Sequence, residues 1–367
     1  MKNTEHEKYM KLCFDLALKG AGHVSPNPLV GALIVKDGEI ISAGYHQQYG
    51  GLHAERNAID NARKDLSGST LYCNFEPCMH TDKQTPPCVP AIISYDIKRV
   101  VISNIDPNPK VKGSGIKILK DAGVEVISGV LEEEGRELNR FFFKYMETGL
   151  PYITVKIAES SDGKITAAEG TQTWLTGEES KKFVHKQRSF YDAVLIGAGT
   201  VNIDNPQLTV REAGGRNPAR IIVDGNLNSN IEAKIFNDKE SRTIVFCSVY
   251  ADEKKKSAFI KRGVEIIDFE TGSDNRINLL QMMQKISEMR ILSLLVEGGG
   301  KIFNRFVSQR LFDELFVLQA PANLNGGIDS ITIDKMENLY LLSQEKLGDD
   351  ILTIYKPGNR KYVHGTN

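Results

Sequence analysis

The sequence lacks the features that mark secreted, membrane-spanning or nucleic-acid-binding chains. Only 5 of the 367 residues are cysteine, an odd number and far below the density of disulfide-stapled secreted domains. No apolar run approaches the roughly 18 residues that a membrane span needs, and the charged N-terminal segment does not resemble a signal peptide. The 46 basic and 47 acidic residues give a net charge of −1, which offers no electrostatic attraction for nucleic acid or anionic membrane. We therefore expect a cytoplasmic protein without either partner.

Hydrophobic patterning predicts two successive α/β domains. Strand-like and helix-like segments alternate through the first part of the chain, as in layered α/β folds. The segment EEEGRELNRFFFKYMETG, residues 132–149, is predicted to form one helix, which Gly149 and Pro151 end. The alternation then restarts with the strand-like YITVKIAES. We predict domains at residues 1–148 and 149–367, the second within the usual size range of a single domain.

Few cysteines are present, but two of them stand in one stiff loop. The segment EPCMHTDKQTPPC, residues 76–88, places Cys78 and Cys88 each directly after a proline. Upstream, HAE places His53 and Glu55 at the predicted start of a helix. One imidazole and two thiolates would leave one position of a tetrahedral zinc ion open, as in catalytic zinc sites. Glu55 could face that position without binding the metal and move protons as a general acid and base.

This order of residues matches the pattern of zinc-dependent nucleobase deaminases, in which the glutamate is not a metal ligand. Nine residues separate the two cysteines here, where that pattern has two. The alternative interpretation is that the cysteines are only structural. The combination of His-Ala-Glu, two Pro-Cys pairs and flanking helices favours zinc.

A second candidate site lies in LLVEGGGKIFNRF, residues 294–306. Three glycines between a predicted strand and a helix would let the backbone approach a phosphate at the helix N-terminus. A merely tight turn is the alternative. The spacing is not Gly-x-Gly-x-x-Gly, so a Rossmann dinucleotide fingerprint is not predicted.

The chain resembles the bifunctional riboflavin-biosynthesis family, in which a deaminase is joined to a reductase. The N-terminal resemblance is carried by SPNPLVGALIVKDGEIISAGYHQQYGGLHAERNAI, by EPCMHTDKQTPPC and by SNIDPNPKVKGSGIKILKDAG. The C-terminal resemblance is carried by VLIGAGTVNIDNPQLTVR and LLVEGGGKIFNRF. It implies an N-terminal cytidine-deaminase-like α/β/α layered domain with one zinc ion. It also implies a C-terminal dihydrofolate-reductase-like α/β domain that uses NADPH.

The resemblance also implies which residues contact the cofactor and the substrate. Without it, Trp174 would be interpreted as a core residue and Arg188 as part of a solvated helix face. The residues implied for the NADPH groove are Ala158, Trp174, Thr200, Asp204, Gly299, Gly300, Lys301, Ile302, Phe303, Asn304 and Arg305. Those implied for the substrate are Lys156, Gln172, Arg188, Leu208, Arg211 and Glu297 in the reductase half, with Asn27, His46 and His80 in the deaminase half.

The family's activity implies hydrolytic deamination of 2,5-diamino-6-(5-phosphoribosylamino)pyrimidin-4-one, followed by NADPH-dependent reduction of the ribosyl to a ribityl chain. The loop departs from the family pattern, because its cysteines are one residue further apart than usual and Asn74-Phe75 replaces Thr-Leu. One alternative is therefore a reductase whose deaminase domain is impaired by the altered 78–88 loop. A nucleic-acid-binding or RNA-editing module is another, and the balanced charge argues against it. We expect a small phosphoribosylaminopyrimidine as partner and a homo-oligomer.

Overall fold

The computed structural model describes residues 3–79, 85–109, 111–211, 214–272, 276–331 and 338–358. The chain divides into two compact units between Gly149 and Leu150. None of the helices in these ranges combines the length and the apolar character that crossing a membrane requires.

The first unit contains a five-stranded sheet. Its strands are β1 (Gly31–Lys36), β2 (Glu39–Tyr45), β3 (Thr70–Phe75), β4 (Arg99–Asn104) and β5 (Glu125–Ser128). Its helices are α1 (Asn3–Leu18), α2 (Ala54–Asp60), α3 (Cys88–Ser94), α4 (Ser114–Asp121), α5 (Glu132–Leu138) and α6 (Arg140–Thr148). The strand order is β2-β1-β3-β4-β5, with β1 antiparallel to both neighbours and β3, β4 and β5 parallel.

Two glycines show how helices cover both faces of this sheet. A Cβ atom at Gly31 would lie 2.2 Å from the carbonyl oxygen of Cys13 in α1. A Cβ atom at Gly44 would lie 2.4 Å from the backbone nitrogen of Ala58 in α2. Gly44 pairs with Ala32, the neighbour of Gly31, so the two glycines face opposite sides of the sheet. The unit is therefore layered α/β/α, with α1 and α2 on opposite faces.

The prediction of one helix over residues 132–149 is wrong, because Asn139 separates α5 from α6. Asn139 is buried, with φ −104° and ψ 24°. Its side-chain oxygen accepts the N–H of Leu29 at 2.7 Å, and its side-chain nitrogen donates to the Leu29 carbonyl at 3.0 Å. These two hydrogen bonds to a distant loop accompany the break, and sequence periodicity does not report them.

The second unit is built on a larger sheet. Its strands are β6 (Tyr152–Glu159), β7 (Lys164–Thr166), β8 (Ala193–Gly197), β9 (Ala219–Val223), β10 (Thr243–Ser248), β11 (Glu265–Phe269), β12 (Ser293–Val296), β13 (Glu314–Gln319), β14 (Ile328–Asp329), β15 (Leu339–Leu347) and β16 (Asp350–Pro357). Its helices are α7 (Glu178–Phe190), α8 (Ala198–Asp204), α9 (Lys234–Asn237), α10 (Glu253–Lys261), α11 (Leu279–Glu288) and α12 (Gly300–Ser308).

Nine of these strands form one sheet in the order β11-β10-β9-β8-β12-β6-β13-β16-β15. Neighbours from β11 to β13 are parallel, whereas β16 is antiparallel to both β13 and β15. The carboxyl ends of β8, β12 and β6 therefore lie side by side at the centre. From this centre the chain continues to β8 and β9 on one side of the sheet and to β13 on the other. Such a reversal of strand order forms a ligand crevice at the carboxyl ends of the strands in α/β proteins.

Candidate active sites

Three side chains from separate segments converge in the first unit. The Cys78 sulfur, which follows β3, lies 3.2 Å from Nδ1 of His53 and 3.8 Å from the Cys88 sulfur. His53 Nδ1 and the Cys88 sulfur are 3.5 Å apart. Ordinary zinc bond lengths in a tetrahedron require about 3.8 Å between two sulfurs and about 3.6 Å between sulfur and nitrogen. The three atoms therefore fit three corners around a zinc ion, with one edge slightly short, and none of the other described residues joins them as a fourth ligand.

The backbone brings the two cysteines together. The Cys78 carbonyl accepts the N–H of Cys88 at 3.1 Å and the N–H of Val89 at 3.3 Å. Pro87 occupies the N-cap of α3 in an extended conformation. Because proline has no N–H, the first backbone donor of this helix is that of Cys88. The Pro-Cys pair therefore helps to direct the start of α3 towards the Cys78 segment.

Glu55 lies in the first turn of α2, two residues after His53, and is only 3% exposed. Burial raises the pKa of Glu55 to about 7, although the attraction of His53 and a hydrogen bond with Cys88 act to lower it. A carboxyl group with a pKa near 7 can both accept and return a proton at neutral pH. Its position beside the ligands suits it for proton transfer.

His46 and Asn27 lie beside the metal-ligand cluster. Nδ1 of His46 lies 2.9 Å from the Leu52 carbonyl and therefore carries the proton, while Nε2 accepts from Asn27 Nδ2 at 3.1 Å. Burial is the main reason why the pKa of His46 is lowered. The rings of His46 and His53 pack edge to face with centroids 5.5 Å apart. On the other side, the Thr85 hydroxyl lies 3.3 Å from Nε2 of His53, which leaves Nδ1 directed towards the sulfurs.

The second unit contains a buried ion pair at the carboxyl edge of its sheet. Arg188 on α7 binds Glu297 through two parallel contacts, Nε to Oε1 at 2.6 Å and Nη2 to Oε2 at 2.8 Å. The side chains are 11% and 6% exposed. Burial acts to raise the pKa of Glu297, but attraction to Arg188 and Lys156 outweighs it, so the net shift is downward. Burial lowers the pKa of Lys156. Two cations and one carboxylate therefore face each other here.

A turn without side chains follows Glu297 and leads into α12. A Cβ atom at Gly298 would lie 2.6 Å from both Cα and Cβ of Ile196, so this position accepts only glycine without displacing β8. Gly299 is the N-cap of α12 and has a positive φ of 48°. A Cβ atom there would lie 3.1 Å from the Thr200 hydroxyl. The amino end of α12 is thus presented at the same edge as the ion pair.

Comparison with known proteins assigns both units. Residues 3–104 match the family model of the cytidine and deoxycytidylate deaminase zinc-binding region, and residues 151–353 match that of the RibD C-terminal domain. The riboflavin biosynthesis protein RibD of Aquifex aeolicus is 39% identical over 356 residues, which cover 95% of this chain and 98% of that protein. The chain belongs to the RibD family. It is a bifunctional deaminase and reductase of riboflavin biosynthesis, as the sequence resemblance predicted.

Solved RibD structures share the fold of the whole chain. One, from Thermotoga maritima, is described as a diaminohydroxyphosphoribosylaminopyrimidine deaminase/5-amino-6-(5-phosphoribosylamino)uracil reductase; it is 38% identical and superposes with a TM-score of 0.86 over 97% of this chain and 100% of that chain. Acinetobacter baumannii RibD is 31% identical, with a TM-score of 0.87 over 98% of this chain and 100% of that chain. These matches confirm the predicted fold class of a deaminase-like and a reductase-like domain.

The predicted deaminase residues of this RibD chain lie together where the structure describes them. His53, Cys78 and Cys88 form the ligand cluster, with Glu55 buried beside it. The more remote predictions, Asn27 and His46, are hydrogen-bonded to each other next to His53. His80 lies outside the described residues.

The predicted reductase residues do not all lie in one cluster. One cluster contains Lys156, Arg188 and Glu297, which face each other. Asp204 lies near it: burial raises the pKa of Asp204, and the positive charge of Lys156 partly opposes that rise. By contrast, some α12 side chains point elsewhere: Arg305 Nη2 donates to the Ile277 carbonyl at 2.6 Å, and Ile302 and Phe303 are part of the core. Of the other positions implied for cofactor or substrate, Leu208 is buried. The partly or fully exposed ones are Ala158, Gln172, Trp174, Thr200, Arg211, Gly299, Gly300, Lys301 and Asn304.

Trp174 is not a core residue, because 81% of it is exposed. That excludes the structural alternative for the chain's single tryptophan. Its flat apolar surface is exposed, and its place in an NADPH groove stays a prediction.

Two residues beside the sites were not predicted from the sequence. Thr85 belongs to the quoted Thr-Pro-Pro-Cys motif, which could have pointed to it. His185 is buried one turn before Arg188 on α7, and its Nδ1 accepts the backbone N–H of Arg211 at 3.1 Å. That bond joins the helix of Arg188 to the segment after Leu208, a buried residue with φ 54°. The sequence contains no local signal for it, since the two partners are 26 residues apart.

Proposed function

We propose that the first unit removes the 2-amino group of 2,5-diamino-6-(5-phosphoribosylamino)pyrimidin-4-one as ammonia. We further propose that the second unit uses NADPH to reduce the ribosyl group of the product to a ribityl chain. The observation that carries the proposal is the convergence of His53, Cys78 and Cys88 at zinc-compatible distances, with Glu55 buried beside them. RibD relatives named as deaminase and reductase support the substrate class.

In the deaminase step, His53, Cys78 and Cys88 would hold one zinc ion. When bound, zinc acts as a Lewis acid that makes water nucleophilic near neutral pH. Glu55 accepts a proton from the attacking water and returns it to the departing nitrogen, so a carbon–oxygen bond replaces a carbon–nitrogen bond and ammonia leaves. Asn27 and the neutral His46 present polar atoms beside the ligand cluster for orienting the pyrimidine.

In the reductase step, the second unit would orient substrate and cofactor. When bound, NADPH would supply a hydride to C1 of the open-chain imine, whose nitrogen would take up a proton from solvent. The glycine turn and the amino end of α12 suit a phosphate because the three glycines carry no side chains of their own at the start of the helix. Exposed Trp174 offers a flat apolar surface to the cofactor. Glu297, held by its two contacts with Arg188, can accept hydrogen bonds from sugar hydroxyls, and exposed Arg211 can bind the substrate phosphate.

A two-stage assay tests both halves. Zinc-loaded protein is mixed with the diaminopyrimidine substrate, ammonia is measured first, and NADPH is then added and its oxidation followed. We expect ammonia before NADPH is added and NADPH oxidation only after deamination. Replacement of Glu55 by glutamine should lower the deamination rate by about 10²–10⁴-fold with zinc still bound. Equal rates for wild type and E55Q would contradict the role of Glu55.

The convergence of the three ligands argues against a deaminase silenced by its longer 78–88 loop. The same assay separates the two possibilities, since a silenced domain releases no ammonia while the reductase still oxidises NADPH with a pre-deaminated substrate. Location in the cytoplasm and a homo-oligomeric state stay predictions.

A further inference from the structure

Glu76 immediately follows β3 and lies two residues before Cys78. It is buried, with 5% of its surface exposed. Its carboxylate accepts hydrogen bonds from four backbone N–H groups that lie between residues 106 and 116. Oε2 binds the N–H of Asp106 at 3.1 Å and of Gly113 at 3.0 Å, and Oε1 binds those of Gly115 at 3.1 Å and Ile116 at 3.4 Å.

These donors lie in the first turn of α4 and in the connection that precedes it. The amino end of a helix carries unsatisfied N–H groups and a partial positive charge, so a buried carboxylate is well accommodated there. Four hydrogen bonds use both oxygens of Glu76 and fix its orientation. The hydrogen-bond donors to Glu76 of the EPC segment therefore all lie in the segment SNIDPNPKVKGSGIKILKDAG. Above, that segment served only as evidence of the family resemblance.

The next residue, Pro77, is held against the same helix. A Cβ atom at Gly115 would lie 2.1 Å from the Pro77 carbonyl oxygen, so the two backbones touch where only glycine fits. The residue after that is Cys78, whose carbonyl accepts the N–H groups of Cys88 and Val89. A continuous series of backbone contacts thus runs from α4 through Glu76 to both sulfur ligands.

We propose that Glu76 is a positioning residue of the metal centre: it fixes Cys78 against α4 and, through Cys78, sets the distance between the two sulfurs. The proposal deepens the proposed deaminase function and rests on it. The Glu76 carboxylate does not bind the metal ligands, because both of its oxygens accept backbone N–H groups of α4 and of the connection before it. Its effect is geometric, and metal affinity should report it.

Conservative substitutions separate this role from general stability. Glutamine keeps the size of Glu76 but replaces one acceptor oxygen with a nitrogen that donates, which opposes two of the four N–H groups. Aspartate keeps both acceptors but is one methylene shorter. Loss of outer-shell support for a metal ligand typically costs about 10–100-fold in metal affinity or activity. We expect a loss of that size for E76Q and a smaller loss for E76D.

The experiment measures the zinc dissociation constant of the full chain by competition with a chelator. The matched control is E125Q, the same chemical change at an exposed glutamate that pairs with Arg99 at the start of β4. E125Q should bind zinc like the wild type, and E76Q at least 10-fold more weakly. Amide hydrogen exchange at Gly113, Gly115 and Ile116 should accelerate in metal-free E76Q, which tests the contact without zinc or activity.

Two further readouts identify the cause. NADPH oxidation with pre-deaminated substrate should be unchanged in E76Q, because the reductase lies in the other unit. A purely structural role would lower the unfolding temperature without changing the zinc dissociation constant measured well below it. Zinc affinity within twofold of wild type in folded E76Q would overturn the proposal. If E76Q does not fold, G115A tests the adjoining contact between α4 and Pro77, and unchanged zinc affinity there would also overturn the proposal.

These outcomes are distinct from failure of the proposed function. A wild type that binds zinc but releases no ammonia would refute the deaminase assignment, and the comparison of zinc affinities would still decide whether Glu76 positions the ligands.

Discussion

Replacing Arg188 with methionine should destabilise the second unit strongly, because it leaves Glu297 buried without its main partner. Methionine has a similar length and fills much of the same space, so the change chiefly removes charge and hydrogen bonds. In the wild type the two side chains are 11% and 6% exposed and share two contacts of 2.6 and 2.8 Å. Arg188 also donates to the Thr209 carbonyl at 3.3 Å, and this bond is lost too.

The expected magnitude follows from the burial of the pair. Removing one member of a buried ion pair typically costs about 3–5 kcal/mol. Lys156 also attracts Glu297 and partly replaces the lost charge, which places R188M near the lower end, at about 3 kcal/mol. For a domain of this size, that corresponds to a fall of about 6–12 °C in the unfolding temperature.

The pH dependence provides a sharper test. In the wild type the net pKa of Glu297 lies below its ordinary 4.5, so its contribution to stability is present above that pH and is lost as pH falls through the lowered pKa. In R188M, burial raises the Glu297 pKa with less opposition, and protonation relieves the unpaired charge. The stability gap between R188M and wild type should therefore be largest at neutral pH and narrow on acidification towards about pH 4.5.

Scanning calorimetry of the full chain measures the effect, with R188M/E297Q as the comparison. The double variant removes the buried carboxylate together with its arginine, while Lys156 loses the attraction of Glu297 and keeps that of Asp204. It should therefore recover part of the lost stability at neutral pH and show no such narrowing. A fall of less than about 2 °C for R188M, or a double variant less stable than R188M, would refute this account of the pair.

Two substitutions at the reductase edge should separate binding from stability. Trp174→Ala should change the unfolding temperature by no more than about 1 °C, since 81% of the residue is exposed, but it should raise the KM for NADPH. Titration of NADPH oxidation measures this KM, and an unchanged value would remove Trp174 from the cofactor site. Gly298→Ala should weaken NADPH binding and destabilise the unit by about 1–3 kcal/mol, because its Cβ would lie 2.6 Å from Ile196. Calorimetry measures the stability and NADPH titration the binding. Wild-type values in both would contradict the tight packing of this turn.

The candidate metal ligands were identifiable from the sequence because these residues follow local rules. Pro87 precedes Cys88 at a helix start, and the His-Ala-Glu motif places His53 at the N-cap of α2 and Glu55 in its first turn. Each motif is therefore attached to an identifiable end of a strand or helix. The proximity of the two motifs depends on long-range pairing as well, because His53 follows β2 and β2 reaches β3 only through β1.

Long-range backbone contacts could not be predicted in this way. The break at Asn139 is accompanied by hydrogen bonds to Leu29, 110 residues away, and residues 132–149 contain no proline to mark it. The four donors to Glu76 are 30 to 40 residues downstream, and a backbone N–H has no sequence signature. The same holds for Arg305, whose guanidinium binds the Ile277 carbonyl although its motif suggested a cofactor contact.

The most direct test of the whole account is the metal content and coordination of the purified chain, measured by elemental analysis and by X-ray absorption at the zinc edge. We predict one zinc ion per chain with two sulfur ligands at about 2.3 Å and one imidazole nitrogen at about 2.0 Å, and loss of that zinc in the variant Cys88→Ala. Zinc bound with equal affinity in wild type and C88A, or a zinc ion without sulfur ligands, would contradict the claim that His53, Cys78 and Cys88 form the catalytic metal centre.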